Sequence, residues 1–212
     1  MGSSHITDYI IGFDLGRDRD HSAIAVLGAR LEDHGHYDYA MLRQPTRRIV
    51  QLGLLKRIPL GTEYVEAIKL LRRIITGLQC AAGWGAPSVN IHVVVDSAGP
   101  GQIAVELIRA QHLNINLVPA LLTAGYESGH SQSGTRTVPR RELVANLRYL
   151  LEVEIFRVNQ NLRYGAVLEN EVAAVRPHGG QYAHDDLVIA AGLAAWYATR
   201  VYPDILRSRR AA

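Results

Sequence analysis

The sequence has one cysteine, two lysines and no long apolar run. The single cysteine, Cys80, excludes an internal disulfide. No apolar stretch approaches the roughly 18 to 20 residues that span a bilayer, and no signal-peptide pattern opens the chain. We therefore expect a soluble, cytosolic protein with no membrane partner. Residues 1–5 read MGSSH, which we interpret as the remnant of an expression tag.

Because the only lysines are Lys56 and Lys69, nearly all of the positive charge is arginine, in a chain whose formal net charge is +3. The planar fork of arginine binds phosphate oxygens better than the point charge of lysine does. The basic residues form two clusters, the segment 43–57 and the group Arg136, Arg140 and Arg141. These clusters are typical of phosphate contacts, although ordinary solvated loops have the same composition.

The chain of 212 residues, with 48% hydrophobic residues, is long enough for one substantial α/β core. We see no repeat or linker and expect a single domain over residues 6–212. Three β-rich runs, 8–14, 23–28 and 36–43, predict an antiparallel meander. A helix is predicted over 61–80, and a βαβ unit with parallel strands follows. It consists of strand 89–96, helix 101–111 and strand 115–118.

Residues 123–138 are rich in Gly, Ser and Thr and predict a mobile loop. Helices are then predicted over 140–151, 160–173 and 185–202. Three antiparallel strands, then parallel strands in βαβ order and closing helices, are the element order of the ribonuclease H-like fold, a mixed sheet flanked by helices. In that fold the first strand lies at the centre of the sheet, beside the first strand of the βαβ unit.

Carboxylates stand at three places that this fold brings together. Asp14 ends the first strand, Asp96 ends the fourth, and the pair Asp185 and Asp186 opens the last helix. Asp14 and Asp96 would be neighbours, because adjacent strands lie about 4.8 Å apart. Each acid alone has an ordinary explanation: a turn for Asp14, a helix cap for Asp96, and the helix dipole for the pair. These explanations do not account for one shared edge of the sheet.

Three converging carboxylates repel one another, which raises their pKa values. A hard divalent cation removes the conflict, and oxygen ligands favour Mg²⁺ or Mn²⁺ over zinc. Two such ions can activate a water and stabilise a leaving oxygen, so we predict metal-dependent hydrolysis of a nucleic-acid backbone. Adjacent helical residues point about 100° apart, and periodicity does not choose between Asp185 and Asp186. His184 is either an accessory that positions a water or the leaving group, or a local hydrogen-bond partner.

Five segments resemble the nuclease domain of the large terminase subunit of tailed bacteriophages. They read IGFDLG at 11–16, DHSAI at 20–24, VDSAGPG at 95–101, VPRRELV at 138–144 and HDDLV at 184–188. The resemblance implies an endonuclease that cuts concatemeric viral DNA during packaging in the host cytoplasm. It implies metal binding by Asp14, Asp96 and Asp185, with Asp186 as an accessory.

The same resemblance implies three partners besides double-stranded DNA: a packaging ATPase domain, the small terminase subunit and the portal. No Gly-Lys-Ser or Gly-Lys-Thr occurs in the sequence, so a P-loop is absent and we expect no ATP hydrolysis by this chain. We expect DNA binding through phosphates by Arg136, Arg140 and Arg141, with Arg47 and Arg48 as weaker candidates. Such binding weakens steeply with salt.

Three other classes of protein share part of this pattern. A junction resolvase on the same fold would carry the same acids but act on four-way DNA. A protein of the actin and sugar-kinase type shares the IGFDLG pattern but needs a second phosphate loop and a second domain of similar size, for which this chain is too short. A ribonuclease H-like domain with a dead site would only bind DNA.

Overall fold

A computed structural model describes residues 6–16, 20–81, 89–130, 134–175 and 185–206. It contains eight strands, listed here in chain order: β1 Asp8–Asp14, β2 Ser22–Asp33, β3 Thr46–Ile58, β4 Asn90–Asp96, β5 Asn116–Thr123, β6 Gly129–His130, β7 Arg136–Pro139 and β8 Phe156–Val158. The described residues also form five α-helices: α1 Tyr64–Ala81, α2 Pro100–Arg109, α3 Arg140–Glu152, α4 Gly165–Ala174 and α5 Asp186–Val201. A short 3-10 helix, Pro203–Leu206, follows α5.

All eight strands belong to one sheet, in the order β6-β7-β5-β4-β1-β2-β3-β8. The strands β1, β2 and β3 form an antiparallel meander, and β4 and β5 continue the sheet in parallel from β1. The predicted ribonuclease H-like arrangement is confirmed, because β1 is central and β4 is its parallel neighbour. This placement brings the carboxyl ends of β1 and β4 to the same edge of the sheet.

The predicted position of the third strand was wrong. Residues 36–43 form the tip of the hairpin between β2 and β3, closed by an isolated bridge between Asp38 and Arg43. The strand itself is Thr46–Ile58, in the basic segment, where Ile49, Val50 and other apolar side chains reach the core. The tyrosines of the hairpin tip give the alternating pattern that is typical of a strand. The arginines of the observed strand interrupt its apolar pattern, so the strand was not predicted there.

The region predicted as a loop over 123–138 holds two short strands. β7 extends the sheet in parallel beside β5, and β6 pairs with β7 in the opposite direction. The pattern missed them because their backbone pairing does not require apolar side chains. β8 was also missed, and α4 begins at Gly165, later than predicted.

The sheet lies between two helical layers. α1 and α2 cover one face, and α3, α4 and α5 cover the other. α5 is buried on nearly every side from Asp186 to Thr199, as its continuous apolar sequence requires. Among the described residues, no helix combines the length and apolar character needed to cross a membrane.

Gly12 lets α5 lie directly on β1. A Cβ atom at Gly12 would overlap the backbone carbonyl oxygen of Ala190, at the centre of the contact between strand and helix. Since no larger residue fits this approach, glycine holds the start of α5 close to the end of β1.

Candidate active site

One row of residues crosses the sheet at its carboxyl edge. Asp14 pairs with Ala23, and Ala23 pairs with Arg57 on the next strand. On the other side of Asp14, the paired residues Phe13 and Val95 directly precede Asp14 and Asp96. Beyond them, Asp96 pairs with Ala120 and Ala120 with Arg136. The row therefore places two aspartates at the centre, an alanine on each side, and an arginine at each end.

Both central aspartates belong to the face of the sheet that α5 covers. Side chains alternate between faces along a strand, and Ile10 and Val94 pack on the α5 side. Asp14 and Asp96 lie an even number of residues further along the same strands, so they share that face. The two alanines are buried and small, which leaves room beside the carboxylates for the first turn of α5.

Asp186 begins α5 and is bound by arginine. The Arg57 Nε donates to Oδ2 of Asp186 over 2.8 Å, and Nη2 donates to Oδ1 over 2.9 Å. Nη2 also donates to Oε1 of Glu171 on α4 over 2.7 Å. Only 4% of the Asp186 side chain and 17% of the Arg57 side chain are exposed. This buried ion network joins β3, α4 and α5.

Asp185 precedes α5 and contacts a different arginine. Its Oδ2 meets Nη2 of Arg140, the first residue of α3. Arg140 reaches this point because it follows β7, whose last residue, Pro139, pairs with Thr123 at the end of β5. Here 45% of the arginine side chain and 25% of the aspartate side chain are exposed. This ion pair therefore lies at the rim.

The surroundings of Asp14 raise its pKa well above the usual range for aspartate. Burial is the largest cause, and the charges of Asp96 and Asp186 add to it, while the charge of Arg140 opposes it. Burial also raises the pKa of Asp96, although backbone hydrogen bonds and Arg140 oppose the rise. Removal from water disfavours the charged form, and neighbouring carboxylates repel it. The two central acids thus occupy a place that favours a cation.

Asp96 does not cap α2, the ordinary explanation considered for it. The helix cap is Gly99, without a side-chain hydrogen bond. The Asp96 Oδ1 instead accepts a hydrogen bond from the backbone N–H of Ala98 over 3.0 Å. A Cβ atom at Gly101 would overlap the backbone carbonyl oxygen of Asp96, so glycine is required where α2 turns over the strand end. The hydrogen bond from Ala98 orients the Asp96 carboxylate.

Of the arginines predicted to bind DNA, Arg140 contacts Asp185, and the other two lie against aromatic rings. Arg141 stacks on the ring of Tyr126 at 3.4 Å, and Arg136 lies over the ring of Tyr197 at 5.5 Å. The weaker candidates, Arg47 and Arg48, make contacts within the fold. Arg47 pairs with Glu32, and Arg48 lies over the Tyr202 ring.

Arg57 and Glu171 lie at the candidate site but were not predicted from the sequence. Arg57 was assigned only to a basic segment, because the third strand was predicted over 36–43. In the observed β3, Arg57 pairs with Ala23, which in turn pairs with Asp14. Within the described ranges, no three acidic, histidine or cysteine side chains form a ready-made cation site. The predicted accessory residue His184 lies outside the described residues.

Solved structures with a similar fold include terminase nuclease domains of human cytomegalovirus and of bacteriophage SPP1. The human cytomegalovirus terminase nuclease domain has a TM-score of 0.57 at 12% identity, covering 96% of this chain and 88% of that one. Its manganese-soaked, inhibitor-bound form has a TM-score of 0.55 at 10% identity, covering 93% and 86%. The large terminase nuclease domain of bacteriophage SPP1, with bound manganese, has a TM-score of 0.50 at 11% identity, covering 92% and 88%.

These similarities establish the ribonuclease H-like fold that terminase nuclease domains share. No protein-family model matches the chain. No curated protein matches it in sequence.

Proposed function

We propose that this protein is a divalent-metal-dependent endonuclease that hydrolyses phosphodiester bonds of double-stranded DNA. The observation that carries the proposal is the position of Asp14 and Asp96 at neighbouring strand ends, beneath the helix start that presents Asp185 and Asp186. The pKa values of Asp14 and Asp96 are raised by burial, and for Asp14 also by nearby carboxylates, as expected where a bound cation would offset the charge.

The donor set suits Mg²⁺ or Mn²⁺. All the candidate ligands are carboxylate oxygens at a rim that water can reach, and hard divalent cations prefer such oxygens. We assign metal binding to Asp14, Asp96 and Asp185. When bound, one or two such ions supply Lewis-acid chemistry, activating a water and stabilising the leaving oxygen of a phosphodiester. The manganese in the SPP1 domain supports this choice of ion.

The structure favours a division of roles between the paired acids of α5. Both oxygens of Asp186 accept hydrogen bonds from Arg57 in a buried place, so this carboxylate holds the helix start in position. Asp185 lies nearer the rim, and Arg140 is its one side-chain partner within the part of the chain that the structure describes, which makes it the better ligand. We therefore assign Asp186 a positioning role, a choice between the two acids that the periodicity of the sequence left open.

Substrate binding is assigned to the arginines beside the acids. Arg136, Arg140 and Arg141 are arranged from the end of the row to the start of α3, where a DNA backbone at the acidic rim would pass. The fold shared with terminase nuclease domains supports a role in cutting concatemeric viral DNA during genome packaging. On that basis we propose a packaging ATPase, a small terminase subunit and the portal as partners.

A plasmid-nicking assay tests the function. We expect wild-type protein to nick and linearise plasmid in Mg²⁺ or Mn²⁺ and to be inactive in EDTA. Asp96→Asn should lower the rate more than about 100-fold, since even outer partners of metal sites contribute 10- to 100-fold. Asp33→Asn, an exposed acid at the end of β2, serves as the matched control and should cut normally. Metal-dependent cutting that survives Asp96→Asn would overturn the proposal.

The choice of DNA separates the packaging nuclease from a junction resolvase. Both would need the same acids, so the acid variants cannot distinguish them. We expect linear duplex and plasmid to be cut as readily as a four-way junction of equal length and concentration. A strong preference for the junction, with symmetric nicks, would favour the resolvase.

A further inference from the structure

Arg140 places a positive charge beside the carboxylates at the carboxyl edge of the sheet. Its guanidinium contacts the carboxylate of Asp185, and its charge opposes the raised pKa values of both Asp14 and Asp96. A single side chain therefore interacts with all three acids assigned to metal binding. No other arginine acts on both central aspartates among the charge interactions resolved for described residues.

Arg140 and Arg57 differ in how firmly they are held. Arg57 makes three hydrogen bonds in a buried network, and breaking such a pair costs about 3–5 kcal/mol. Arg140 is 45% exposed and contacts a partly exposed carboxylate, and pairs of this kind contribute only about 0.2–1 kcal/mol. Arg57 is thus a permanent counter-ion within the fold, whereas Arg140 can exchange its partner.

We propose that Arg140 is an exchangeable counter-ion of the active site. In the metal-free protein its guanidinium forms an ion pair with the carboxylate of Asp185 and stabilises the ionised forms of Asp14 and Asp96. When Asp185 binds a divalent cation, the guanidinium is released at the same rim and binds a phosphate of the DNA. The inference rests on the proposed function and adds that Arg140 competes with the metal while assisting the substrate.

This arrangement makes cutting depend on DNA as well as metal. A released Arg140 is held away from Asp185 when a DNA phosphate binds it, so DNA and metal should each strengthen binding of the other. The chain would bind metal less tightly when no DNA is present. That property suits a nuclease that must not cut at random.

The test compares Arg140→Gln with wild type for metal affinity, measured by calorimetric titration of Mn²⁺ without DNA. We expect the variant to bind Mn²⁺ about two- to fivefold more tightly, because the competing contact is lost. In plasmid cutting, its half-saturating Mn²⁺ concentration should fall while its KM for DNA rises about tenfold. Arg109→Gln, which removes an exposed arginine from the far end of α2, is the charge-matched control and should change neither value.

Thermal unfolding provides a readout independent of cutting. Without metal, Arg140→Gln should melt below wild type, and saturating Mn²⁺ should raise its melting temperature by more than it raises that of wild type. Arg140→Lys, which keeps the charge but not the fork, should be intermediate and guards against simple misfolding of the glutamine variant.

The outcomes separate this inference from the proposed function. If wild type binds Mn²⁺ and Asp96→Asn does not, the metal site stands. In that case an unchanged or weaker Mn²⁺ affinity in Arg140→Gln overturns the counter-ion alone. If Asp96→Asn leaves Mn²⁺ binding intact, both the metal site and the inference fail.

Discussion

The two ends of β1 carry the same residue type in opposite circumstances. Asp8 begins the strand and Asp14 ends it, both on the face that α5 covers. Tyr202, just after α5, contacts the Asp8 carboxylate, and Asn90 donates to it over 2.9 Å. Although burial tends to raise the pKa of Asp8, these hydrogen bonds outweigh it and lower the pKa, whereas burial and repulsion raise the pKa of Asp14.

The two ends show how a carboxylate that the fold stabilises differs from one that the fold leaves destabilised. At the Asp8 end, every contact stabilises the ionised carboxylate, and burial together with the Asp8 contact raises the pKa of Tyr202 to about 12. The fold there is complete without a ligand. At the Asp14 end, the negative charges are concentrated, and Arg57 and Arg140 are the arginines that form ion pairs with them among the described residues. The second end carries an energetic conflict that a cation would remove.

The largest expected effect on stability comes from Arg57, the counter-ion of the buried Asp186. Arg57→Gln would leave Asp186 buried without its counter-charge, so we expect the free energy of unfolding to fall by about 3 kcal/mol. Adding Asp186→Asn should recover part of the loss, because the buried charge disappears. Urea unfolding of both single variants and the double variant measures the coupling. A loss below about 1 kcal/mol with no coupling would mean that the network contributes little.

The next prediction concerns the satisfied end. Asp8→Asn should lower the melting temperature by about 2 to 8 °C at pH 7, because the variant loses charge-assisted hydrogen bonds. Since the pKa of Asp8 is lowered on folding, its contribution is present above the unfolded value near 3.8 and is lost as the pH falls through the folded value. The gap between wild type and variant should therefore narrow below about pH 4. A constant gap down to pH 2 would show that the hydrogen bonds do not depend on the charge.

The smallest effect should have the opposite sign. In EDTA at pH 7, Asp14→Asn should raise the melting temperature by about 2 to 4 °C, because one repelling carboxylate is removed. The raised pKa means that ionised Asp14 opposes folding, so the gain should vanish below pH 3.8 and grow as the pH rises. Mn²⁺ should stabilise wild type more than this variant. A variant that melts lower than wild type in EDTA would place Asp14 among the structural acids, beside Asp8.

The central part of the candidate site was predictable from local pattern. Two apolar runs ending in aspartate, together with the order of the strands, put Asp14 and Asp96 side by side, because parallel neighbours end at the same edge. Asp185 and Asp186 were predictable as the start of the last helix. The positions of these residues follow from the order of the strands and helices along the chain, which the periodicity of the apolar residues indicates.

The partners of these acids were not predictable in the same way. Arg57 lies 129 residues from Asp186 in the sequence. The charged residues of β3 also interrupt the alternating apolar pattern by which a strand is predicted. Arg140 was expected to bind DNA, and its contact with Asp185 was not predicted. Local sequence determined where β1, β4 and α5 form and which carboxylates lie at their ends. Only the tertiary structure decided which carboxylate is buried with a permanent counter-ion and which remains open, because those contacts arise from packing between distant strands and helices.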